Sequence, residues 1–89
     1  MVVERTFRIM NELGLHARAA TRFVQIANRF SSEVEVEKDG QKVNGKSIMG
    51  VLMLVAAKGS TVTVRSSGED AQKAVDALGV LIRNKFDED

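Results

Sequence analysis

The chain has 89 residues, 44% of them hydrophobic and 28% charged, with a formal net charge of +1. That is room for a single domain spanning 1–89 with one modest core, and too little charge to argue for a nucleic-acid partner. Without cysteine, and with one histidine, it has no disulfide, thiolate metal site, cysteine nucleophile or histidine-rich metal centre.

Val3, Phe7 and Ile9 alternate with Glu4, Thr6 and Arg8, which predicts a first strand with one buried face. Asn11-Glu12-Leu13-Gly14 turns the chain. From about Ala17 to Phe30, Ala20, Phe23, Val24, Ala27 and Phe30 recur at helical spacing, with Arg18, Arg22, Gln25 and Arg29 on the wet face. Glu33-Val34-Glu35-Val36-Glu37 is a half-exposed strand, and Asp39-Gly40 is a type I′ hairpin signal returning through Gln41-Lys42-Val43. Ser47 opens a short helix from Ile48 to about Val55, and Thr61 to Arg65 alternates as a fourth strand. Ser67 and Asp70 stand at capping-box spacing before a stripe of Ala71, Ala74, Val75, Leu78, Leu81 and Ile82, the last helix. Asp87-Glu88-Asp89 reads as a solvated acidic end. The order βαββαβα predicts an α+β fold, an open-faced β-sandwich with a four-stranded antiparallel sheet and three helices on one face.

No apolar run approaches the ~20 residues of a bilayer span, so membrane insertion is not expected. Met1-Val2-Val3-Glu4-Arg5 lacks a signal-peptide pattern. The expected location is the cytoplasm.

His16 adjoins the start of the first helix. Unpaired backbone N–H groups at Ala17 and Arg18, and the positive end of the helix dipole, make that start an anion site. The same field disfavours imidazolium and keeps the ring a neutral nucleophile. Arg18 can offer a guanidinium fork to the oxygens of a phosphoryl group carried on His16. No Walker-type glycine loop is present, so a phosphoryl group has to arrive from one protein and leave to another. No cofactor is expected.

Gly14-Leu15-His16-Ala17-Arg18-Ala19-Ala20 resembles the active-site motif of the HPr phosphocarriers of the bacterial phosphotransferase system. Val43-Asn44-Gly45-Lys46-Ser47-Ile48-Met49-Gly50 resembles their second signature, around a regulatory serine, and Gly68-Glu69-Asp70-Ala71 the start of their last helix. The resemblance implies that enzyme I, charged by phosphoenolpyruvate, phosphorylates Nδ1 of His16. The group then passes to an enzyme IIA domain of sugar transport, with Arg18 helping to hold it. It also implies regulation at Ser47 by an HPr kinase/phosphorylase. The carrier is not an enzyme by itself, and it is expected as a monomer. Two positions depart from the family pattern. Ala19 replaces a usual proline, which predicts a looser first turn. Leu13 stands where a polar residue commonly orients the histidine, which leaves the second contact of the imidazole open.

The helix after Ser47 is apolar nearly all round, and so small a domain cannot bury every face of it. By family position Ile48, Met49 and Leu52 are expected to dock partners, beside Thr21 and Arg22. The basic residues Arg18, Arg22, Arg29 and Lys46 favour acidic partner surfaces. A nitrogen-related or purely regulatory member of the family would use the same histidine chemistry. A small nucleic-acid-binding α/β domain is a distant alternative, disfavoured by only four aromatic residues, all phenylalanine.

Overall fold

Alternation of β-branched with polar residues makes the strands, and apolar spacing of three and four makes the helices. In the computed structural model, which describes residues 1–88, β1 is Val2–Arg8, α1 Ala17–Ala27, β2 Glu33–Lys38, β3 Gln41–Asn44, α2 Ile48–Leu52, β4 Thr61–Ser67 and α3 Ala71–Arg83. A 3₁₀ turn, Lys85–Asp87, follows. The four strands form one antiparallel sheet in the order β1-β4-β2-β3. This is the open-faced sandwich expected from the element order.

β4 lies in the interior, paired to β1 from Val2↔Ser67 to Arg8↔Thr61 and to β2 from Glu33↔Ser67 to Glu37↔Thr63. Phe7, Val34, Val36, Val62 and Val64 point to one face and are buried against Phe23, Val24, Val75, Leu78 and Ile82 of the helices. Arg5 continues the apolar row of β1 at its edge. Its guanidinium lies 5.3 Å from the Phe7 ring centroid and pairs with Asp76 of α3 at 3.2 Å. The β2–β3 hairpin turns at Asp39 and Gly40, both at positive φ (51° and 83°), as a type I′ turn requires.

Several boundaries differ from the sequence reading. α1 ends at Ala27 and not Phe30, because Arg29 and Phe30 bond back three residues, to Ile26 and Ala27, in a tightened last turn. α2 stops at Leu52, and the chain leaves it through Val55 in a left-handed conformation (φ 48°). The expected capping box at α3 does not form. Ser67 is the last residue of β4, and Asp70 makes no side-chain bond to its own helix. Its carboxylate instead accepts the backbone N–H groups of Ser31 and Ser32, each at 2.9 Å, and the Ser32 hydroxyl. The turn before β2 offered more donors than the helix did.

Candidate functional site

The loop before α1 is clamped from below. Gly14 is left-handed (φ 63°), and a Cβ there would meet the Ala56 carbonyl oxygen at 2.3 Å. Only glycine allows this approach. The Leu15 N–H then donates to Ala56 O at 2.9 Å, and Leu15 is buried. His16, pinned behind it, has extended backbone and caps α1: its Nδ1 accepts the Arg18 N–H at 3.3 Å. The first turn closes regularly, with Ala20 N–H on His16 O at 2.8 Å, so Ala19 does not loosen it. Ala19 is fully buried, and its small side chain fits the core.

The other ring nitrogen meets the acidic end of the chain. Nε2 lies 3.3 Å from Glu88 Oε2, with the two side chains 28% and 18% exposed. The same carboxylate oxygen accepts the Asn11 Nδ2–H at 2.9 Å, while Asn11 also donates to Gly14 O at 2.8 Å. Asn11, the Leu13 backbone N–H and His16 hold the Glu88 carboxyl below its usual range, against a burial that pushes it up. Glu88 is therefore no solvated tail residue, as the sequence suggested; Asp89 lies outside the described residues.

Lys85, Phe86 and Asp87 all have positive φ, at 57°, 55° and 57°. A left-handed L-residue costs roughly 1–2 kcal/mol. Three of them together outweigh the ~2–3 kcal/mol gained by burying Phe86, which is 1% exposed. Further contacts must hold the turn. Arg22 donates its guanidinium to Phe86 O, and Glu88 binds Asn11 and His16.

His16, Ala17, Arg18, Arg22, Leu13, Asp87 and Glu88 line one open cavity of about 600 Å³. It is wide enough to admit a phosphoryl group beside His16 and Arg18. Thus His16 and Arg18 come together in one cavity, and Arg22, expected on the docking face, lines it too while tied to Phe86 O. Thr21 is half-buried, its hydroxyl donating to Ala17 O at 2.8 Å. Ile48 and Met49 are exposed (40% and 72%), whereas Leu52 is half-buried. Ser47 caps α2, accepting the Gly50 N–H at 3.0 Å. Lys46 is committed to Phe30 O at 2.7 Å, so it is less available to partners than Arg18 or Arg29, both exposed. Asn11 and Glu88 were missed. The available signal was Leu13 itself, which left the histidine without a local polar partner.

A family model described as the PTS HPr component phosphorylation site matches residues 3–84. The chain belongs to the HPr phosphocarrier family. It is 49% identical over 87 residues to the phosphocarrier protein HPr of Cupriavidus necator, covering 98% of each chain. It superposes on HPr of Thermoanaerobacter tengcongensis with a TM-score of 0.94 at 48% identity, over 98% of each chain. It is also similar to Crh, the Bacillus subtilis catabolite repression protein, whose structure is described as a swapped dimer. There the TM-score is 0.76 at 44% identity, over 93% of this chain and 95% of that one. HPr proteins are carriers of a phosphoryl group in the phosphotransferase system and not enzymes in their own right. No helix among the described residues is long and apolar enough to cross a membrane.

Proposed function

We propose that His16 accepts a phosphoryl group on Nδ1 from phosphoenolpyruvate-charged enzyme I and passes it to an enzyme IIA domain of sugar transport in the cytoplasm. The observation behind this is the bond from Arg18 N–H to Nδ1. It places the unprotonated nitrogen at the helix start, so the lone pair that attacks phosphorus already points toward the anion site. As the N–P bond forms, the bond from phosphorus to the donor breaks and its electron pair stays with the donor. The displaced Arg18 N–H and the Ala17 N–H, which has no acceptor within the helix, then face phosphoryl oxygens. The Arg18 guanidinium, in the same cavity, supplies two more donors in a planar fork.

Ser47 is the regulatory position in this reading, because its phosphate would stand beside the exposed Ile48 and Met49 through which partners dock. We read the carrier as working as one copy, with β1 paired to β4 of the same chain from Val2 to Arg8. Sedimentation at working concentration checks this, with a single species of one chain's mass expected.

Incubation with phosphoenolpyruvate and purified enzyme I, read by intact mass, tests the central claim. One phosphoryl group, labile in acid and stable in alkali, is expected. His16→Ala should abolish it while costing only a helix cap, about 1 kcal/mol. Normal labelling of His16→Ala would refute the proposal. A purely regulatory carrier is the second reading, supported by the likeness to Crh. It shares the histidine chemistry, and labelled protein offered to a panel of enzyme IIA domains separates the two by whether any accepts the group.

A further inference from the structure

We propose that Glu88 is a positioning residue for phosphoryl transfer: held by Asn11, its carboxylate takes the Nε2–H of His16 and so presents Nδ1 as the nucleophile. This rests on His16 being the phosphorylated residue.

The two ring nitrogens make complementary contacts. Nδ1 accepts a backbone N–H at 3.3 Å, so in the neutral ring the proton resides on Nε2. Nε2 lies 3.3 Å from Glu88 Oε2, so a proton on Nε2 is favoured by the neighbouring carboxylate charge. Both contacts favour one tautomer, in which Nδ1 carries the unprotonated lone pair. Asn11 is 1% exposed and gives hydrogens of its amide to Gly14 O and Glu88 Oε2. Its orientation is fixed, because a rotated amide would set Oδ1 against a carbonyl and a carboxylate. In the observed orientation Oδ1 has no hydrogen-bond partner among the described residues. The fold thus buries an amide with an idle acceptor to keep its donors on the loop and on Glu88.

The delivery of Glu88 is equally specific. Three successive left-handed residues, none of them glycine, bring the carboxylate back over the histidine, anchored by buried Phe86 and by Arg22 on Phe86 O. Conformations that L-residues avoid persist where surrounding contacts over-determine them, and they cluster at functional sites. Glu88 supplies the contact that Leu13, 65% exposed and apolar, cannot.

The pairing also bears on release. When Nδ1 bonds to phosphorus and Nε2 keeps its proton, the ring becomes a cation beside the Glu88 carboxylate. On transfer to an acceptor the N–P bond breaks, its electron pair returns to Nδ1, and neutral imidazole is left with Nε2–H unmoved. Without that proton the leaving group would be an imidazolate, a far poorer one. Glu88 therefore supports both loading and unloading.

The test uses the full chain with ¹⁵N-labelled histidine and the variants Glu88→Gln and Glu88→Ala. In alkaline buffer, the parent is expected to show one tautomer, Nε2 pyrrole-like and Nδ1 pyridine-like. Glu88→Ala, left with only the 3.3 Å Arg18 contact, should show a measurable share of the other tautomer. Its loading by enzyme I and unloading to enzyme IIA should each slow about tenfold, the scale for losing one hydrogen bond to a charged group. Glu88→Gln keeps an acceptor but no charge, so it should retain the tautomer and transfer at an intermediate rate. A single retained tautomer or a parental transfer rate in Glu88→Ala overturns the role of Glu88. Labelling that survives in His16→Ala overturns the reading of the site itself, which keeps the two failures distinct.

Discussion

Arg18 stands two positions after His16 and lines the same cavity, yet it is exposed. An exposed guanidinium adds little to stability, so its removal should be felt in rate. A hydrogen bond to a charged group is worth ~1.5–3 kcal/mol, which converts to about 10- to 100-fold in rate. Arg18→Ala should slow transfer both on and off His16 by that much, with the melting temperature near the parent's. Arg18→Lys should recover only part, since a point charge lacks the planar fork. Rapid-quench measurement of phosphohistidine with both partners checks this, and a parental rate in Arg18→Ala would show the arginine to be a solvated helix residue.

At the scale of elements, α2 is the informative one. Its exit through Val55 holds a β-branched residue at φ 48° with 76% of its surface exposed. Neither burial nor sterics favours valine there, but Val55 borders His16, Leu13 and Leu52. Strain retained beside a site marks a residue kept for contact. Val55→Gly should relieve the left-handed cost, offset partly by glycine's greater freedom when unfolded, for a net gain of about 1 kcal/mol. That corresponds to ~4–8 °C in melting temperature for a domain of this size, while transfer from enzyme I slows. An unchanged or lower melting temperature would contradict the strain argument. At the other end of α2, Ser47→Asp adds charge between the cap and the exposed Ile48 and Met49. It should slow His16 labelling and leave stability level, because the five-residue helix has little dipole to gain from. Ser47→Ala should label normally and lose about 1 kcal/mol of cap. Pairing labelling rate with melting temperature in both variants separates regulation from capping.

Across the whole molecule, which is only 20 Å through its thinnest dimension, two layers are tied together at their ends by polar contacts. Asp70, at the start of α3, grips Ser31 and Ser32 ahead of β2, and these donors lower its pKa from 3.8 to about 2, the Ser32 hydroxyl most. A depressed carboxylate contributes stability that is fully present above its unfolded value. As pH falls, the unfolded chain takes up the proton first, so the contribution drains between about pH 4 and pH 2. Asp70→Asn should flatten the melting-temperature profile in that window and be less stable than the parent at neutral pH. A profile as steep as the parent's would place the acid sensitivity elsewhere.

How far the sequence reached follows from which interactions are local. The strands, the helices, the Asp39-Gly40 turn and the His16 cap all depend on residues within a few positions, so periodicity and turn chemistry identified them. Strand order, with β4 between β1 and β2, depends on which apolar faces meet once the helices cover the sheet, and no pattern along the chain encodes it. Asp70 shows the limit at close range: its spacing from Ser67 suggested a local cap, but donors 38 and 39 positions away won because four of them, the N–H and hydroxyl of Ser31 and of Ser32, converge on one carboxylate. Glu88 shows it at long range. By itself, a run of acidic residues at the end of a chain is a solvated tail. Only the burial of Phe86 and the left-handed turn around it carry the carboxylate across 77 positions to Asn11, and with it to the histidine. The proposed nucleophile was therefore legible in the sequence, whereas its contact with Glu88 was decided by the tertiary structure. Proximity between distant residues is set by packing, which depends on the whole chain.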